Sequence, residues 1–441
     1  MMRRWMAAVL ALIMVLGLAA CSREAAAPDA PDSSAEGPAD TGGQTGGTSG
    51  DTSGETPDGG TSGSGGTSGS GETSDGGETA PDDSGETVTT PDTGTSAHVV
   101  LSVTAHDAER TDAAGNLLLQ ENLREAAVTM PGSAAASINE ALAGRYQRRV
   151  EEAADLLTTT QELQAEAAST GLPFSGYALT DRVEAGRLDN AVVSVVFTSI
   201  DATGGAHGNM AVEAMTFDAV TGTQLTLDNL TGDRNALRLA VAAAAEAQVA
   251  ANPELYYPNA ADQAGSLLEE CTWALTDEGL TVYCDPYYLA PYAAGVVRVT
   301  VGYEDLEGLL NPRWFPEAAA ADGTMTARLD ESGAAAGQAA AHTVADEGGS
   351  VLVATADGAV HGVCIRRVSS SDGNTWYAGE LLLAVDGLAD GESVAVTAML
   401  PDAMTNLMVT WETADGTVCQ GFFQSGKDGS VFLQPLETVV F

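Results

Sequence analysis

Residues 190–218, NAVVSVVFTSIDATGGAHGNMAVEAMTFD, carry the pattern that decides the fold. Two runs rich in valine and other β-favouring residues, NAVVSVVFTSIDA and NMAVEAMTFDA, flank Gly204, Gly205 and Gly208. Glycine adopts positive φ without steric cost, so the three permit a sharp bend, and the runs are expected to be adjacent strands. His207 sits at the bend, where its ring is expected to cap backbone groups. Further on, Asp218 and Thr221-Gly222 in DAVTGTQLTL read as a tight hairpin turn.

Outward from this hairpin, residues 98–317 alternate strand and helix signals. AHVVLSVTAHDAE alternates apolar and polar residues like a half-buried strand, and REAAVTMPG is a second strand that stops at Pro131. Ile138, Leu142, Tyr146, Val150, Ala153 and Leu157 recur at helical spacing, with Ser137 as N-cap. A second helix is expected over 234–251, with Leu237, Val241 and Val249 as its larger apolar residues, ending at Asn252-Pro253. ECTWALTDEGLTVYCD follows as a hairpin closed at Asp277-Glu278, and GVVRVTVGYEDL as another strand. The fold class expected is an α+β module, an antiparallel sheet with two main helices, followed by an all-β sandwich-like domain at 350–441. In that last region short strand signals are separated by Asp-Gly turns. An alanine-rich connector, 318–349, joins the two. Cys364, Trp376 and Cys419 fall in the order of the immunoglobulin core signature, with Thr417 where that signature has a tyrosine.

The 97 residues before the module are of another kind. Residues 1–21 place Arg3 and Arg4 before an apolar run ending in Leu18-Ala19-Ala20-Cys21, the pattern of a lipoprotein signal with its lipidation site. Cys21 is the expected lipid-attachment residue, and two acyl chains on one residue hold a protein stably to a membrane. Residues 22–97 are mostly Gly, Ser, Thr, Asp, Glu and Pro, with Val88 the only aliphatic residue larger than alanine. Such a segment cannot repay the entropy of ordering, and as a tether it spans on the order of 50 Å. The expected location is extracytoplasmic, anchored to the cell membrane.

Charge narrows the partners. The 441-residue chain holds 62 acidic and 18 basic side chains, a net −44, and residues 98–441 hold 47 and 15 of them, a net −32. Such a surface repels nucleic acid and favours cationic partners. Cys271 and Cys284 are equidistant from the Asp277-Glu278 midpoint, so the hairpin places them directly opposite as a disulfide pair. By elimination Cys364 pairs with Cys419. Zinc is the competing use of cysteine, and no Cys-x2-Cys or histidine pair supports it.

Catalytic signals are weak throughout. His207 has no Ser, Cys or carboxylate partner in a recognisable motif, and the glycines beside it lack the strand-loop-helix setting and lysine of a phosphate loop. His98, His106, His342 and His361 have no partner at i, i+4. Tyr287, Tyr288 and Tyr292 in PYYLAPYAAG form an aromatic loop suited to packing or to gripping a sugar or protein. The candidate ligand contacts are therefore His207, Tyr287, Tyr288 and Tyr292, with no catalytic residue, metal or cofactor expected.

GGAHGN, FDAVTGTQLTLDNL, LYYPNA, WALTDEGLTVYCDPYYLAPYAAG and VRVTVGYEDL occur in the order found in a known exported module, with VTMPG before the long helix. Residues 98–310 resemble the exported domain of unknown function of lysozyme-sensing anti-sigma factors and of some peptidoglycan deacetylases, chiefly of Gram-positive bacteria. The resemblance implies an α+β fold and, in the anti-sigma branch, a lysozyme-binding surface. Two departures limit it. A lipoprotein signal and tether stand where an anti-sigma factor has its sigma-binding segment and membrane span, and the metal-binding Asp and His pair of a deacetylase has no counterpart. The expected function is a surface lipoprotein that binds lysozyme or another cationic envelope protein; the alternative is a cell-wall glycan-binding or envelope-assembly accessory protein.

Overall fold

The computed structural model describes residues 98–317, 321–330, 341–342, 350–370, 375–398, 404–414, 416–435 and 439–440. The signal and tether expected at 1–97, Cys21 included, lie outside the described residues, as does most of the connector. The described chain is mostly β-sheet with few helices. None of those helices is long and apolar enough to cross a membrane.

β1 (Val100–Thr111) and β2 (Leu117–Thr129) form an antiparallel hairpin, with β1 alternating buried and open positions as its sequence requires. α1 (Ala134–Thr170) then runs 37 residues and ends where Gly171 takes φ 70°, its N–H bonding the Ala167 carbonyl. The helix starts before Ser137, with Ser133 at its N-cap. β3 (Tyr177–Leu188), β4 (Val192–Ala202) and β5 (Asn209–Asp218) follow as an antiparallel meander. β3 lies parallel to β2, so the sheet is mixed rather than wholly antiparallel. The cause is α1, which carries the chain back along the sheet before it re-enters.

β4 is buried continuously from Val192 to Phe197 because it is covered on both faces. Val193, Val195 and Phe197 pack with Ile138 and Leu142 of α1. Val196 meets Ala274 and Tyr283 of a separate three-stranded sheet. That sheet is β6 (Thr272–Leu275), β7 (Gly279–Cys284) and β8 (Val297–Gly302), and α2 (Arg234–Ala251) buries Leu237 and Val241 in the same core. Asp233 caps α2 by accepting the Ala236 N–H at 3.0 Å.

α1 also buries two charges that are not among the apolar residues recurring along it. Arg145 donates to Asp181 at 2.6 Å and lies over the Phe197 ring, while Arg149 donates to Asp181 at 3.1 Å and to Asp201 at 2.7 Å. Asp181 lies on β3 and Asp201 at the end of β4, so the pair fixes the helix across both strands.

The C-terminal strands are β9 (Thr324–Asp330), β10 (Ala341–His342), β11 (Ser350–Asp357), β12 (Val360–Ser369), β13 (Trp376–Leu388), β14 (Ser393–Ala398), β15 (Met404–Glu412), β16 (Val418–Ser425), β17 (Val431–Pro435) and β18 (Val439–Val440). Six of them, β12, β13, β15, β16, β17 and β18, join the sheet of the first module. β13 pairs with β1 through Val100↔Val385, Leu101↔Ala384 and Ser102↔Leu383. The result is one eleven-stranded sheet in the order β17-β16-β15-β12-β13-β1-β2-β3-β4-β5, with β18 beside β13. Arg366 of β12 reinforces the junction by donating to Glu184 of β3 at 2.9 Å. A four-stranded sheet, β10-β14-β11-β9, stacks Leu352, Val394 and Val396 on Val363, Ile365 and Val409 of the long sheet.

Candidate functional site

The β4–β5 bend brings together residues that the sequence separates by some eighty positions. Gly204 and Gly205 take φ 93° and 102°, and a Cβ on Gly208 would stand 3.1 Å from the Ile200 side chain. This turn points His207 outward, and the ring is exposed. Its Nδ1 lies 3.0 Å from the Gly208 carbonyl, an acceptor, so Nδ1 carries the proton. Nε2 is then free to accept from the Tyr287 hydroxyl at 2.8 Å. The imidazole stacks on Tyr292, with centroids 3.8 Å apart and planes at 17°.

Tyr287 is the notable member. Among the described residues it is the only non-glycine with positive φ, at 74°, and its ring is 56% exposed. A bulky residue in left-handed conformation costs on the order of 1–3 kcal/mol, and such strain gathers at binding and catalytic sites. The turn holding it is closed by the Tyr287 N–H on the Ala290 carbonyl at 2.9 Å and by Asp285, which accepts the Val212 N–H of β5 at 2.8 Å. Tyr288 points the other way. Its hydroxyl lies 3.0 Å from Ser266 Oγ and its ring packs on the core of α2 and the small sheet. The structure thus joins His207, Tyr287 and Tyr292 into one aromatic platform and leaves Tyr288 as packing.

The sequence reading missed a neighbouring groove of about 370 Å³ at the C-terminal end of α1, lined by Leu163, Leu172, Phe174, Tyr177 and Gly204. Leu172 is 66% exposed, and the Phe174 and Tyr177 rings stand 5.5 Å apart. A Cβ on Gly204 would be 3.7 Å from Tyr177, so the bend residues 203–208 separate groove from platform. The available signal was PFSGY, two aromatics on either side of Ser175-Gly176 just after a proline.

Cys271 and Cys284 lie opposite each other, since Thr272↔Tyr283 and Trp273↔Val282 set the register, and their sulfurs are 2.7 Å apart. The neighbouring Cys271 and burial push the Cys284 thiol up. Cys364 and Cys419 do not pair. β15 lies between their strands, and Cys364 is level with Thr410 whereas Cys419 is level with Trp411, so they face opposite sides of the sheet. Trp376 packs on Phe422, away from both. His98 bridges Asp386 at 2.9 Å and Glu392 at 2.8 Å, and His106 lies 3.0 Å from Glu125. Among the described residues no group of three or more His, Cys, Asp or Glu is placed to hold a metal ion.

Comparison with known proteins bears on this region. No curated protein matches the chain. A solved member of the DUF3298 family from Bacteroides fragilis NCTC 9343 is 18% identical with a TM-score of 0.38, the match covering 48% of this chain and 94% of that one. A DUF3298 family protein from Pseudomonas aeruginosa PAO1 is 18% identical with a TM-score of 0.34, covering 49% of this chain and 97% of that one. Residues 228–304 match the family described as "Protein of unknown function (DUF3298)". The chain therefore carries a DUF3298 domain that spans α2 through β8 and includes the tyrosine turn of the platform.

Proposed function

We propose that the protein is a surface lipoprotein, lipidated at Cys21 and held extracytoplasmically on its tether, that binds a cationic protein such as lysozyme through the His207–Tyr287–Tyr292 platform. It acts as a binding module rather than an enzyme. The observation that carries this reading is Tyr287, an exposed aromatic kept at φ 74° and fixed by His207. Packing alone gives no reason to hold a tyrosine in that conformation with its ring in water. Lysine and arginine side chains are attracted to aromatic faces, and a net −32 over residues 98–441 steers them in. On this reading the α+β module keeps the binding surface of the anti-sigma and deacetylase relatives it resembles, without their signalling or catalytic parts.

A glycan reading is favoured by one different feature, the Leu172–Phe174–Tyr177 groove, because aromatic rings stack on sugar faces. The test is titration of the chain with lysozyme across a salt series, with Tyr287→Ala beside the natural protein. Binding that weakens with salt and falls roughly tenfold or more in the variant, the scale of an interface hot spot, supports the proposal. No salt-sensitive binding refutes it, and retention on washed peptidoglycan instead favours the glycan.

A further inference from the structure

A larger cleft than the groove beside the platform lies elsewhere. It encloses about 950 Å³ between the end of β3, the β6–β7 turn, residues 315–317 and the C-terminal strands β12, β13 and β15. Its volume is that of a small-molecule site, and Leu188, Phe315, Val360 and Val418 supply apolar wall. Charges from three separate elements converge on it, and their balance is uneven. Of the cationic side chains lining the cleft, Arg187 is matched with Asp189, Arg366 with Glu184, and His98 with Asp386 and Glu392, while His361 stands beside Glu412. Asp277, Glu317 and Glu412 also line it, and among the described residues none of the three is in an ion pair.

We propose that this cleft binds a small organic cation, an alkylammonium or guanidinium compound, with Asp277 and Glu412 as its counter-charges and Phe315, Leu188 and Val360 against its apolar part. The geometry provides an accessible carboxyl in a confined space. Asp277 is open to the cleft yet ringed by protein atoms, and Glu412 is half-buried beside the bulge of β12, where Gly362 takes φ 53°. Bulges recur beside binding sites because they re-aim side chains. Burial, reinforced by the charge of Glu412, pushes Asp277 up to about 7. Burial pushes Glu412 up as well, with His361 opposing the rise and Glu278 adding to it. A bound cation favours the ionised form of both, so its entry expels protons when the pH is below the Asp277 midpoint. This site shares no residue with the aromatic platform and stands or falls independently of it.

The experiment is calorimetry of the full chain with agmatine and with hexylamine, hexanol serving as the neutral control. Runs are made below and above pH 7 in buffers of different ionisation heat. The result expected is saturable one-site binding of the amines but not of hexanol, with proton release at the lower pH that disappears at the higher. Asp277→Asn and Glu412→Gln should each weaken binding roughly tenfold, the scale of a lost charge-assisted hydrogen bond. Glu246→Gln, an exposed change on α2, should leave it intact. Absence of saturable binding, absence of proton release in the natural protein, or equal weakening by Glu246→Gln would each overturn the proposal. The last outcome would mark the binding as a diffuse effect of net charge. Proton release is read on the unmutated chain, so a variant that fails to fold does not remove the test.

Discussion

Replacing Asp181 by alanine tests whether the buried charges of α1 hold the module together. The Asp181 side chain is fully buried and accepts from Arg145, Arg149 and the Ser199 hydroxyl. Removing it leaves Arg149 with Asp201 at 2.7 Å and Glu152 at 2.6 Å, both reachable from water. Arg145 fares worse. Its side chain is 2% exposed, and what remains is Ser199 at 3.0 Å and a longer approach to Glu213 at 3.5 Å. The loss is therefore governed by one uncompensated buried cation, which costs about 3–5 kcal/mol, whereas one exposed pair would contribute under about 1 kcal/mol. Equilibrium urea unfolding measures the difference. A second variant isolates the cause: with Asp181 already gone, Arg145→Met should cost less than it does in the natural protein by more than about 1 kcal/mol, or should recover stability. A loss below about 1 kcal/mol for Asp181→Ala, or strict additivity of the two changes, would refute the reasoning.

The opposed register of Cys271 and Cys284 gives a covalent pair in an oxidising compartment, and mass mapping of unreduced peptides should recover the 271–284 link. Closing that loop contributes about 3 kcal/mol in the chain-entropy model, so reductant should lower the melting temperature. Free thiols at both positions would contradict this, and a 364–419 link would contradict the sheet geometry. For pH, the hydrogen bond that the His98 ring donates to Asp386 is the main reason His98 is raised from 6.5 to about 9. A raised histidine stabilises fully below its unfolded value, and that share is lost as pH climbs through about 9. Unfolding free energy should therefore fall between those limits and fall less in His98→Asn. Asp277 acts in a lower window ending near 7, so a decline confined to that lower range would count against the His98 assignment.

What the sequence determined by itself is local. β-favouring, valine-rich runs and the glycine bend identify β4 and β5, the mirror spacing about Asp277-Glu278 fixes the register of β6 on β7, and the 3.6-residue recurrence finds α1 and α2. These signals lie within one element or one turn, where the chain's own geometry dictates which side chains share a face. The joining of β1 to β13 has no such trace, because every strand edge presents the same N–H and C=O groups and a partner 280 positions away competes on packing alone. The faces of Cys364 and Cys419 follow from that pairing, so elimination misassigned them. Nothing in the helical pattern marks Arg145 or Arg149 for burial, and only the arrival of Asp181 and Asp201 from two strands compensates their charge there. The platform combines both levels. His207 and the tyrosines stand out in the sequence by their glycine and proline surroundings. Which of the tyrosines meet the imidazole, and that Tyr287 does so in a left-handed conformation, was decided only when β5 brought the two turns together.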